Sequence, residues 1–374
     1  MKIAIITFHA PTNYGAFLQA YALQTYLNDK LNIETDILNY QTKLQKQLCS
    51  IFLPMDSMQN LVKNGTALLH YRRLKLREQE FNEMKKSFLK LTKPLDSIDD
   101  VKSIYNEYDL LISGSDQIWN GEIRGFANGG QEPYFLKDCT KRKIAYGTSL
   151  GPKDTPVVRA TIEHNIDSIS TYAKISVREV FAQKLLQDYI DQTIEPVVDP
   201  VFLLDRGDYK ELFNHRRTPK QEYLLLYTIN FDSGLLKKTA EIARELHLPV
   251  IVPFTNHKAI FCKKYGFQVL YDVGPGCFLD LLDQATLVIT DSFHGTAFSI
   301  HFAKEFFCYQ AVNSGVPVKD DRLETLLETS GFSHRIISER DDFKVCHTPI
   351  GSVNPDLKKK IEESKHWLQD AIVP

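Results

Sequence analysis

The stretch LVITDSFHGTAF, Leu287 to Phe298, decides how the chain is read. Leu287-Val288-Ile289 is an apolar, largely β-branched run of strand length. Thr290-Asp291-Ser292 are turn and cap residues, and Ala297, Phe298, Ile300 and Phe302 continue as an apolar helix. A strand feeding a helix through so short a turn is half of a βαβ unit, and the same rhythm recurs along the chain. Strands are expected at Lys2–Thr7, Glu34–Leu38, Asp109–Ser113, Lys143–Gly147 and Lys174–Val177. A second series is expected at Tyr223–Ile229, Pro249–Pro253, Phe267–Tyr271, Thr286–Thr290 and Glu305–Tyr309. Uninterrupted apolar runs of this kind fit parallel strands buried on both faces. Two series predict an α/β protein of two Rossmann-like, doubly wound domains, a size that 374 residues support.

The polar interval from Pro200 to Glu222 carries the expected boundary, with an N-terminal domain over 1–205 and a C-terminal domain over 206–374. Residues 41–93 lack clear strands and read as a helical insertion of the first domain, on its acceptor side. Its second half interleaves Arg72, Arg73, Lys75, Arg77, Lys85, Lys86 and Lys90 with Leu74, Leu76, Phe81, Met84 and Phe88. It reads either as an amphipathic helix with a solvated basic face, or as a surface that rests on anionic lipid or admits a lipid-linked acceptor. A last helix, about Pro355 to Ile372, aligns Leu357, Ile361, Leu368 and Ile372 and is free to pack back on the N-terminal domain.

A net charge of -2 argues against a nucleic-acid binder. The six cysteines, Cys49, Cys139, Cys262, Cys277, Cys308 and Cys346, are scattered without ligand spacing. No metal or cofactor is expected, and a reducing cytoplasm fits them. MKIAIITF lacks the positive region and cleavage site of an export signal and reads as a first buried strand.

In open α/β folds, anions bind where strands end and helices begin. Three junctions qualify. In the first, Thr7 to Ala16, Asn13 and Gly15 either let a ligand approach the backbone or form a plain turn with a capped helix. In the second, ISGSDQIWN, Asp116 either takes a proton from a sugar hydroxyl or caps the next turn; Trp119 either stacks on a sugar or belongs to the core. The third is DSFHGT. A helix N-terminus disfavours a cation and a bound phosphate favours one, so His294 is suited to moving a proton. Ser292, Gly295 and Thr296 line the same turn, where Asp291 or Ser292 also serves as a cap. Arg178, just after the strand Lys174–Val177, either grips a phosphate or carboxylate with two prongs or is simply neutralised by Glu179 beside it. Arg322 reads first as a surface partner of Asp320 or Glu324.

These segments resemble the bacterial polysaccharide pyruvyl transferase family. NYGAFLQAYAL, DLLISGSDQIWN, KIAYGTSLG, ISVRE, VVDPVFLL, VGPGCFLDLL and ITDSFHGTAFSIHFAKEFF match in order over most of the chain. The resemblance implies a GT-B-like architecture with the two domains facing across a cleft. It implies a ketal pyruvyltransferase that moves the enolpyruvyl group of phosphoenolpyruvate, its co-substrate, onto two hydroxyls of one sugar. The sugar belongs to a capsular or exopolysaccharide repeat or its lipid-linked precursor, and peripheral contact with the inner membrane is compatible with that. Carried over, Arg178, His294 and a later basic residue, Arg322 or Lys319, attend the donor. The chemistry also needs a base, and Asp116 is the candidate the residues themselves offer. Two other readings stay open. A nucleotide-sugar glycosyltransferase of the same fold would need a carboxylate for ribose, for which only Glu305 and Asp280 offer themselves. A non-catalytic sugar-binding protein would have lost one of these positions.

Overall fold

The computed structural model describes residues 1–10, 12–123, 125–126, 130–314, 316–341 and 354–373. Pro11 of the first junction and Cys346 lie outside the described residues. Two compact units form. The first comprises residues 1–50, 85–205 and 358–374; the second comprises 51–84 and 206–357.

The first unit is built on six parallel strands, β1 (Lys2–Ile6), β2 (Glu34–Ile37), β3 (Leu110–Ser113), β4 (Arg142–Thr148), β5 (Lys174–Val177) and β6 (Ile194–Pro196). Their order is β2-β1-β3-β4-β5-β6, so the sheet changes winding direction between β1 and β3. The second carries β7 (Leu224–Tyr227), β8 (Val250–Pro253), β9 (Gln268–Leu270), β10 (Leu287–Thr290), β11 (Phe306–Tyr309) and, after a small hairpin of β12 (Val312–Asn313) and β13 (Val316–Pro317), β14 (Ile336–Ile337). Its order, β9-β8-β7-β10-β11-β14, is the 3-2-1-4-5-6 order of a dinucleotide-binding fold, with its switch point between β7 and β10. Apolar runs buried on both faces explain both sheets: Ile3 to Ile6, Leu110 to Ile112 and Leu224 to Tyr227 are all sealed from solvent.

Residues 41–93 are divided between the units. They form α2 (Lys43–Leu48), α3 (Met58–Leu69) and α4 (Tyr71–Phe88), and the part from Ile51 to Met84 groups with the second unit. The reason is packing. Ala67 and Leu74 enter the core that holds Phe254, Ala259, Cys262 and Tyr271, and the Glu80 carboxylate accepts from the Gly274 N–H at 3.0 Å. The last helix, α12 (Pro355–Ile372), groups from Lys358 onward with the first unit. There Ser364 Oγ accepts from the Val198 N–H (3.0 Å), and the Ala371 carbonyl accepts from Arg142 (2.7 Å).

One lysine sits inside this framework. Lys143, on β4, is 2 % exposed, and its Nζ donates to the Leu136 carbonyl and Ser168 Oγ, both at 3.0 Å, above the Tyr172 ring. Burial pushes its ammonium down to about 8. An unfolded lysine keeps its proton to about pH 10.4. Between those values the unfolded state binds more protons, so stability rises with pH, by about 1–2 kcal/mol after discounting for residual solvation. Lys143→Met should flatten that rise in urea melts compared near pH 7.5 and pH 9.5; an unchanged slope would contradict it.

Candidate active site

The turn after β10 is held from several sides. Asp291, a candidate cap, instead reaches across the switch point to the loop after β7. Its carboxylate accepts from Thr228 Oγ1 (2.9 Å), the Ile229 N–H (3.2 Å) and Asn230 Nδ2 (3.1 Å). Burial raises its pKa and these donors oppose the rise. Ser292 is the cap of α10 (Phe293–His301), accepting from the Gly295 N–H at 3.5 Å. Gly295 has no room for a side chain: a Cβ there would come within 2.3 Å of Thr290 Oγ1 and 2.7 Å of the Tyr227 ring. Thr296 is fully buried, with its hydroxyl against the Cys308 thiol. Ser292, Gly295 and Thr296 thus build the turn, and the residue they present is His294, in the first turn of α10 and edge-on to Phe293 with ring centroids 5.3 Å apart.

The two later basic residues differ. Arg322, near the start of α11 (Asp321–Ser330), donates from Nε (2.9 Å) and Nη2 (2.5 Å) to both carboxylate oxygens of Asp320, which also caps the helix. Lys319 is exposed and, among the described residues, forms no ion pair. α11 packs on α10, so both cations belong to the histidine's unit. The carboxylates that a ribose would need are engaged elsewhere: Glu305 accepts from Arg335 at 2.8 Å, and the fully buried Asp280 lies 2.5 Å from His215 Nδ1.

In the first unit a second cluster forms at the ends of β3, β4 and β5. Arg178 is buried and donates from Nη1 to Asp199 Oδ2; its Nη2 lies 3.9 Å from Asp116 Oδ1 and its Nε 4.0 Å from Glu179 Oε1. Asp199 is itself anchored, accepting from Ser115 Oγ (3.2 Å) and the Val201 N–H (3.0 Å). Asp116 has a left-handed backbone (φ 75°), with its carbonyl accepting from the N–H groups of Ile118 and Ser149. Such a conformation costs free energy and persists where the surroundings over-determine it, often at functional sites. Asp199 pairs with Arg178, and Asp116 and Glu179 lie close by, so the guanidinium is held in place by its neighbours. Asp199 was not legible as a site residue. It stands in the segment VVDPVFLL, which matched the family without pointing to this residue, and its partner Arg178 lies 21 positions away.

The remaining candidates take part in the framework. Asn13 caps α1 (Tyr14–Thr25), its side chain accepting from the Ala16 N–H at 3.1 Å, and Gly15 is buried in the first turn. Trp119 is core: fully buried, donating to the Tyr134 carbonyl at 3.0 Å and stacked on Phe135.

The family model described as polysaccharide pyruvyl transferase matches residues 13–310. The chain belongs to this family. The match spans both strand-end clusters. No curated relative matches the chain. Among solved structures, Staphylococcus aureus MnaA, in complex with UDP, is similar with a TM-score of 0.53 at 11% identity, over 98% of this chain and 97% of that one. A structure from Listeria monocytogenes assigned as a UDP-N-acetylglucosamine 2-epimerase has a TM-score of 0.52 at 13% identity, over 99% and 89%. At these identities the likeness concerns the fold, which for this family member is GT-B-like, with two doubly wound parallel sheets.

Proposed function

We propose that this pyruvyl transferase family member moves the enolpyruvyl group of phosphoenolpyruvate onto two hydroxyls of one sugar of a capsular or exopolysaccharide repeat, or of its lipid-linked precursor. The observation that carries the reading is His294 held at the switch point after β10, in a chain of this family. His294 gives a proton to the methylene carbon of the donor, and C2 becomes electron-poor. A sugar hydroxyl attacks C2, with Asp116 receiving its proton. The second hydroxyl then displaces phosphate by breaking the C2–O bond. One hydroxyl proton replaces the one given to the methyl group, and the other leaves with phosphate or solvent. Arg178, oriented by Asp199, binds the carboxylate or phosphate of the donor. Lys319 is the better third cation, because Arg322 is already bound to Asp320 through both prongs.

The test is phosphate release from phosphoenolpyruvate against a panel of lipid-linked sugars, with mass analysis of the acceptor. Acceptor-dependent phosphate and a pyruvate ketal on the sugar are expected. Absence of phosphate release together with transfer from a nucleotide sugar would replace this reading with a glycosyltransferase. Thermal shifts by phosphoenolpyruvate but not by nucleotide sugars provide a cheaper first comparison.

A further inference from the structure

Helix α3 is inside out. An amphipathic helix on a globular protein turns its apolar stripe to the core. In α3, Met58, Val62 and Leu69 fall on one stripe at helical spacing, with Leu61 and Leu68 beside it, and this is the solvent side. Met58 is 76% exposed, Val62 68%, Leu68 68% and Leu69 79%. The opposite side holds the one buried residue of the helix, Ala67. Through Ala67 the helix packs on the 3₁₀ helix His257–Tyr265, whose Ala259 and Cys262 point to the same core while Phe261 faces solvent, 57% exposed. Met55, just before α3, adds to the surface at 79%.

The segments that carry this apolar surface are also rich in cations. Residues 52–73 and 257–265 together carry Lys63, Arg72, Arg73, Lys258, Lys263 and Lys264 against a single carboxylate, Asp56. Among the described residues, none of these six cations is in an ion pair, whereas the neighbouring Lys75 is neutralised by Glu78 at 2.5 Å. The sequence had drawn attention to the basic residues of α4. The structure puts the apolar half of the pattern one helix earlier, because α4 turns Leu74 and Phe81 inward.

We infer that α3 and the adjoining 3₁₀ helix form a docking surface for an anionic lipid bilayer. The large apolar side chains enter the boundary between headgroups and acyl chains, and the cations of the same segments meet the lipid phosphates. Charge complementarity selects this occupant over a second copy of the chain, since a two-fold contact through this face would set the same six cations against one another. The inference is independent of the reaction proposed above.

The test is co-sedimentation of the full chain with vesicles of pure phosphatidylcholine, or of equal parts phosphatidylcholine and phosphatidylglycerol. Strong, salt-sensitive binding to the mixed vesicles and weak binding to the neutral ones is expected. Val62→Glu/Leu69→Glu and Arg72→Glu/Arg73→Glu should each lower partitioning at least about ten-fold. Both pairs are exposed, so the melting temperature should not move. Failure of the unaltered protein to bind mixed vesicles would overturn the proposal, as would equal binding by both variants. A dimer that Val62→Glu/Leu69→Glu converts to monomer, without vesicle binding by the unaltered chain, would assign the face to self-association instead.

Discussion

Replacing His294 by glutamine should lower acceptor-dependent phosphate release from phosphoenolpyruvate by on the order of 10²–10⁴, the usual loss when a well-placed acid or base is removed. The change is informative because other residues fasten the turn that carries His294. The turn is fastened by Asp291 to the loop after β7, by the Ser292 cap and by the close approach of Gly295 to Thr290. Glutamine preserves bulk and hydrogen-bonding capacity but cannot transfer a proton near neutral pH. The variant should therefore melt within a few degrees of the unaltered chain and still show a thermal shift with phosphoenolpyruvate. Turnover close to that of the unaltered chain would remove His294 from the mechanism.

The second large effect concerns stability. Asp199→Ala should cost about 3–5 kcal/mol, because it leaves the Arg178 guanidinium buried without its closest counter-charge. Asp199→Asn keeps shape and one acceptor, so it separates positioning from folding. With the chain still folded, its KM for phosphoenolpyruvate should rise more than its kcat falls. If Asp199→Ala proves as stable as the unaltered chain, or Asp199→Asn leaves KM unchanged, Asp199 does not orient Arg178.

Much of the fold was legible because long apolar runs admit few interpretations. All ten strands expected from such runs are present within one or two residues at each end. The strands that escaped notice are short and unpatterned: β6 is Ile-Glu-Pro, and β14 is two residues long. Assignment of residues 51–84 to a domain failed for a different reason. Position along the chain suggested the first domain, whereas the deciding contacts, through Ala67 and Leu74, are with residues about 190 positions later. The candidate site divides in the same way. His294 was legible because its strand, turn and helix are contiguous. Asp199 and the true partners of Asp291 were not, because each depends on a loop brought near only by strand order.

The discontinuity of the two units bears on how the chain matures during synthesis. The first unit has most of its sheet by residue 205, yet Ser364, Leu368, Ala371 and Ile372 are buried parts of it. Until residues 358–374 leave the ribosome, the Val198 N–H lacks its Ser364 acceptor and the apolar surface beneath α12 stays wet. The nascent first unit must therefore wait, incomplete, while about 150 further residues are added at roughly 5–20 per second. For an interval of some ten to thirty seconds it is exposed to chaperones and proteases. In this chain, completion of the first unit is tied to a helix made about 150 residues after the rest of it, so the second unit is synthesised before the first is finished.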